Sequence, residues 1–357
     1  MTSMALAATL FGPEDLRMVE RPLERLAAGM VRIRFGAGGI CGSDMHYFRH
    51  ARTGDFVVTS PLVLGHEIAG EVIEIASSAA IEIARSAAGL KIGDRVAVNP
   101  SRWCGRCKPC REGRLNLCEN IFFMGSASKT PHMQGGFASF FDAVPEQCVK
   151  IPDHVPYQAA ALAEPLAVCL HAVARAGDIS GKRAVVFGAG PIGLLTMLAA
   201  RRAGIAEITV VDIAAAPLAF ATRLGADHVA DVSGGDDGLK AQAATSPFDL
   251  AFEVSGTAAG LASAIGIVRR GGIVVQIGNL PGGQIAVPAN AVMAKEIDLR
   301  GSFRFGSEFM TAVELISDGS VDVMALVTAE RPLAAAPDAM RLALDRSQSV
   351  KVVLTAH

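Results

Sequence analysis

The segment RAVVFGAGPIGLLTMLAARRAGIAEITVVD, residues 183–212, constrains the fold more than any other part of the chain. A β-branched apolar run passes through a glycine-rich turn into an apolar helical stretch, and a second β-branched run follows. Only a strand–helix–strand unit buried on both faces accommodates that order. The uncharged stretch 184–200 is almost long enough to cross a bilayer, but Gly188, Gly190, Pro191 and Gly193 interrupt it. It therefore reads as a buried strand turning into a buried helix. Further along, APLAFATRLGAD, DLAFEVSG, AAGLASAIGIVRRGG and IVVQIGN keep the strand and helix patterns alternating. This predicts a doubly wound α/β domain, a parallel sheet with helices on both faces.

Up to about residue 155 the pattern is different. GMVRIRFGAGGI, GEVIEIA, GDRVAVNP, GGFASFFDAV and CVKIPDHVP are short strand-like runs separated by turn residues, as in a compact mostly β domain. After residue 300, SEFMTAVELISDG predicts a helix and SVKVVLTA a final strand, and we assign this tail back to the first domain. The expected division is 1–157 with 300–357 against 158–299. A chain of 357 residues suits two domains of ordinary size. Its net charge of −2 comes from interspersed acids and bases, which argues against nucleic acid and anionic membranes as partners. The N-terminal MTSMALAATLFGPEDLRMVE lacks the pattern of an export signal, so a cytoplasmic location is expected.

Gly188, Gly190 and Gly193 form G-x-G-x-x-G between a strand and a helix. Such glycines permit a tight turn, let backbone N–H groups approach a pyrophosphate, and allow the helix to pack closely on the strand. The second strand ends at Asp212, nineteen residues past Gly193. A carboxylate there accepts both ribose hydroxyls and repels a 2′-phosphate, which favours NAD over NADP.

Four of the seven cysteines lie within WCGRCKPCREGRLNLC: Cys104, Cys107, Cys110 and Cys118, spaced C-x2-C-x2-C-x7-C. Disulfides suit an oxidising compartment, and the ferredoxin run places its fourth cysteine after three residues rather than seven. Tetrahedral zinc fits best. Four protein ligands close its coordination sphere, so this ion would brace a loop and leave catalysis elsewhere. A second group, Cys41, His66 and Glu67, offers a thiolate, an imidazole and a carboxylate with a fourth position open, the pattern of a catalytic zinc. Singly, each has an ordinary alternative: a small core residue, a satisfied buried histidine or a surface acid.

The segments CGSDMHY, GHEIAGEV, AEPLAV, GAGPIG and GSFRF, together with the four-cysteine stretch, resemble the zinc-dependent medium-chain alcohol dehydrogenases over nearly the whole chain. The likeness is greatest to their polyol branch, typified by sorbitol dehydrogenase. That resemblance implies a GroES-like catalytic domain beside a Rossmann NAD domain, two zinc ions per chain, and a homotetramer or homodimer. It also implies that Cys41, His66 and Glu67 hold the catalytic zinc, with Glu164 holding zinc-bound water or substrate, directly or through water. Ser43 and His46 match the proton path, Tyr47 and Arg304 the substrate contacts, and Pro191, Ile192, Ile277, Gly278 and Asn279 join the cofactor surface. The implied reaction is reversible oxidation of a secondary alcohol to a ketone with hydride transfer to NAD. The substrate is a sugar acid of the L-idonate type or, alternatively, a neutral polyol such as sorbitol or xylitol. Phe305 stands where the family commonly has tyrosine, and Pro217 where a basic residue follows the cofactor aspartate. A tandem duplication, IEIASSAA followed by IEIARSAA (73–88), is foreign to the family pattern and reads as a tolerated loop insertion. A catalytically silent nucleotide sensor on the same fold is the competing reading. It would have no need of an intact open metal set.

Overall fold

The computed structural model describes residues 4–76 and 89–357, so most of the duplicated stretch lies outside the described residues. The chain divides into two compact units, Met1–Glu164 with Phe309–His357, and Pro165–Glu308.

The first unit is built on Val31–Gly39, a strand buried along nearly its whole length. It pairs antiparallel with Glu67–Ile75 on one side and with Lys351–Thr355 on the other. Outward from these, Arg95–Val98 and Cys148–Lys150 extend one flank, Val327–Pro332 the other, and Phe140–Ala143 also pairs with Val31–Gly39. The register sets Gly39 opposite both Glu67 and Val353, so the last strand of the chain borders residues near its start. The N-terminal residues form a hairpin, Met4–Gly12 with Asp15–Pro22, closed against Leu62–Val63. Ile33, Leu64, Ile68 and Phe137 are fully buried in one apolar cluster. Each such side chain contributes roughly 1.5–3 kcal/mol on leaving water. Arg32 is the buried charged residue of the central strand; its guanidinium is held by Asp142 at 2.9 Å and Glu74 at 3.0 Å.

In the second unit six strands form one parallel sheet. Taken in chain order they are β1 (Arg183–Phe187), β2 (Glu207–Asp212), β3 (His228–Asp231), β4 (Phe248–Glu253), β5 (Val268–Gln276) and β6 (Asp298–Gly301). Their spatial order is 3-2-1-4-5-6, with every neighbouring pair parallel. This is the doubly wound dinucleotide-binding arrangement, whose order reverses beside β1. Phe248, Leu261, Ile265 and Val274 fill the core on one side of the sheet. Strand β5 begins earlier than the apolar run IVVQIGN suggests: Val268 pairs with Phe248, Ile273 pairs with Leu250, and the residues between form an irregularity around Gly271 at φ +64°.

Candidate metal centre and cofactor loop

Cys41 caps the helix Gly42–His50, and His66 and Glu67 lie where an extended segment enters the strand Glu67–Ile75. Their ligand atoms lie within 4.8 Å of one another, and His66 and Glu67 are buried. Among the described residues Glu164 is outside that set; it is buried in the first turn of the helix Ala163–Ala176.

The surroundings of these side chains are strongly anionic. Burial disfavours an imidazolium at His66, yet Asp44 and Cys41 outweigh it and hold the His66 pKa well above the usual histidine value. A buried place that prefers positive charge this strongly suits a cation. Soft sulfur, imidazole nitrogen and carboxylate oxygen together make a zinc donor set with room for one more ligand. Asp44, absent from the residues singled out by sequence, supports the group. Its carboxylate accepts from the Cys41 amide at 3.0 Å and lies 3.5 Å from His66 Nδ1, which fixes the ring as carboxylate partners of metal-bound histidines do. Lys351 was also missed. Its ammonium lies 2.8 and 2.6 Å from the two oxygens of Glu67 and donates to the Ile40 carbonyl at 2.8 Å.

Ser43 Oγ lies 3.4 Å from His66 Nε2. His46 is one turn further along the helix, at the surface; desolvation and then His50 lower its pKa. Tyr47 is buried in the apolar cluster, its hydroxyl accepting from the Ala127 amide at 3.1 Å. Arg304, in the second unit, has a left-handed backbone at φ +53°, uncommon for a residue with a side chain, and its guanidinium stacks 4.9 Å from the Phe303 ring. Phe305 is buried.

The four cysteines of the C-x2-C-x2-C-x7-C stretch also converge, with all four sulfurs within 4.8 Å of one another. Amide N–H groups of Arg106 and Cys107 push the Cys104 thiol down to about 6, while burial, with Cys107 and Cys118, pushes Cys110 up to about 12. Sulfurs this close resist ionising together unless a cation is present, and the tetrahedral all-sulfur set fits structural zinc.

In the second unit the glycine loop joins β1 to the helix Pro191–Arg202. Gly188 has φ +108° and donates its amide to Val211 at 2.7 Å. A Cβ on Gly193 would stand 1.8 Å from the Gly188 carbonyl oxygen, so only glycine lets the helix lie this close to the turn. Gly190 caps the helix and faces open space, and Pro191 and Ile192 begin the helix behind it. A dinucleotide pyrophosphate fits there, against bare backbone and a helix N-terminus. Asp212 ends β2, and its carboxylate accepts from the amides of Ala189, Ile213 and Ala214 at 2.8, 2.8 and 3.1 Å. Ile277, Gly278 and Asn279 follow β5 and lie against the turn after β4: a Cβ on Gly278 would meet the Gly256 amide at 2.3 Å.

Residues 27–153 match the alcohol dehydrogenase GroES-like domain and residues 191–318 the zinc-binding dehydrogenase domain. The L-idonate 5-dehydrogenase (NAD(P)(+)) of Escherichia coli is 39% identical over 90% of each chain, and the sorbitol dehydrogenase of Bacillus subtilis is 35% identical over 98% of this chain and 96% of its own. The crystal structure of the Escherichia coli L-idonate 5-dehydrogenase superposes with a TM-score of 0.91 at 37% identity, covering 99% of both chains. With both domain types, the open Cys–His–Glu set and the glycine loop all present, the chain belongs to the zinc-dependent medium-chain alcohol dehydrogenases, oxidoreductases acting on CH–OH groups.

Proposed function

We propose that the enzyme oxidises a secondary alcohol of a sugar acid, of the L-idonate to 5-keto-D-gluconate type, with NAD. The observation that carries the chemistry is the buried convergence of Cys41, His66 and Glu67. The sugar-acid substrate is favoured by the likeness to L-idonate 5-dehydrogenase and by Arg304, a fixed cation held in a left-handed backbone beside Phe305, where no tyrosine hydroxyl is available. The sorbitol dehydrogenase and the probable D-xylulose reductase A of Aspergillus fumigatus, 37% identical, support a neutral polyol as the second reading.

In this reading Cys41, His66 and Glu67 hold the catalytic metal, and Cys104, Cys107, Cys110 and Cys118 the structural one. When bound, zinc would supply a Lewis acid for the reacting oxygen, and NAD would supply the hydride acceptor. Glu164 orients the reacting oxygen. Ser43 takes the hydroxyl proton and His46, three residues on along the same helix face, passes it to solvent. Tyr47 and Arg304 bind substrate. Gly188, Gly190, Pro191, Ile192, Gly193, Ile277, Gly278 and Asn279 line the cofactor, and Asp212 binds its ribose.

We assign the enzyme to the cytoplasm, in keeping with seven free cysteines and with the absence, among the described residues, of a helix long and apolar enough to cross a membrane. A homodimer or homotetramer is supported by the outer edge of β6, unpaired among the described residues, and by exposed Leu299 on it and Phe303 just after it. The deciding experiment is an assay of polyols and aldonates with NAD and NADP. Faster turnover of L-idonate than of sorbitol or xylitol is expected, and the reverse order replaces this reading with the polyol one.

A further inference from the structure

We propose that Lys351 is a positioning residue of the metal centre: it shares the Glu67 carboxylate with the bound ion and thereby sets how tightly the open site holds zinc. This rests on the reading that Cys41, His66 and Glu67 bind the metal.

Lys351 is 3% exposed, in the first position of a strand whose next three residues, Val352, Val353 and Leu354, are buried and apolar. A lysine is retained at such a depth only with compensating charge, and the compensation is specific here. For Lys351 that charge is the buried carboxylate of Glu67. Its hydrogen bond to the Ile40 carbonyl anchors it beside the cysteine ligand, and its contacts at 2.8 and 2.6 Å reach both oxygens of the carboxylate ligand.

The sheet is shaped to allow this reach. Lys351–Thr355 and Glu67–Ile75 flank Val31–Gly39, so the lysine must cross over the middle strand to meet Glu67. It crosses at Gly39. A Cβ on Gly39 would lie 2.0 Å from Glu67 Oε2 and 2.9 Å from Lys351 Cε, so any other residue would close the passage.

Charge counting gives the consequence. A thiolate, a carboxylate and a neutral imidazole neutralise a divalent ion, and in the metal-free centre the two anions would otherwise face each other in a buried place. Lys351 supplies countercharge when the metal is away. When the metal is present it draws density from Glu67 and repels the dication, so it weakens binding and leaves the ion a stronger Lewis acid.

The test strips zinc from the open site of the whole enzyme, then titrates it back against a chromophoric chelator for the parent, K351R and K351M, with total metal counted. Because an adjacent charge shifts such an equilibrium by one or more powers of ten, K351M is expected to bind open-site zinc about tenfold tighter or more, and K351R about as the parent does. The gap in Tm between zinc-loaded and zinc-stripped protein should widen in K351M alone. Unchanged affinity and an unchanged gap in K351M would make Lys351 a structural residue only and overturn the proposal. If K351M does not fold, K351Q takes its place in the same titration: tighter open-site zinc binding supports the proposal, and unchanged affinity overturns it. A parent enzyme that carries zinc only at the four cysteines overturns the metal reading and this proposal together, and the metal count alone identifies that case.

Discussion

The carboxylate of Asp212 accepts the amide of Ala189 at 2.8 Å, tying the end of the second Rossmann strand to the middle residue of the glycine turn. The acid proposed to select the cofactor thus also shapes the loop proposed to receive its pyrophosphate. Ile213 beside it is 63% exposed and has room for a longer polar side chain. The double substitution Asp212→Ser with Ile213→Arg removes the repulsion of a 2′-phosphate and adds a charge-assisted partner for it. The ratio of kcat/KM for NADP over NAD should rise by about tenfold or more. The check is steady-state kinetics with both cofactors, and an unchanged ratio would mean that Asp212 does not face the ribose.

Cys41→Ser separates the two metals. The four-cysteine stretch is a closed set of its own, remote in sequence from Cys41, so its zinc should stay while the open site is lost. Metal analysis should give about half the parent zinc in a soluble, folded protein without turnover. Full activity in this variant would refute the catalytic assignment.

Arg304→Ala should cost the sugar acid more than the neutral polyol. A guanidinium paired with a carboxylate in a partly buried place contributes ~2 to 4 kcal/mol, or roughly thirty- to thousand-fold in kcat/KM. Kinetics on L-idonate and sorbitol provide the comparison. Equal losses on both substrates would remove the carboxylate from the argument and leave Arg304 as a general substrate or cofactor contact.

Gly193→Ala tests the glycine loop. Its new methyl would lie 1.8 Å from the Gly188 carbonyl oxygen, which is backbone and cannot swing aside as a side chain could. The helix must move off the turn, at a cost of roughly 1–3 kcal/mol in stability. NADH binding, followed by fluorescence, should weaken well beyond the loss in Tm. Retained affinity would show that the cofactor does not use this turn.

The sequence carried the alternation of strand and helix from residue 183 onward and the short strands before residue 150, because both depend on local periodicity. It also carried the two groups of converging side chains and the glycine turn, because such chemistry restricts residue type and spacing within short segments. Elements whose pattern is weak escaped it. The N-terminal hairpin and the edge strands His228–Asp231 and Asp298–Gly301 hold their shape by packing and pairing more than by their own periodicity. Tertiary structure alone decided the surroundings of the site. Asp44 turns towards His66, and Lys351 reaches Glu67 from 284 residues away because three strands register at a glycine. The lysine in SVKVVLTA can be read off the sequence, but its partner cannot. Ligand identity is written in neighbouring residues, whereas the charge that balances a buried ligand is set by whichever strand the sheet brings alongside it.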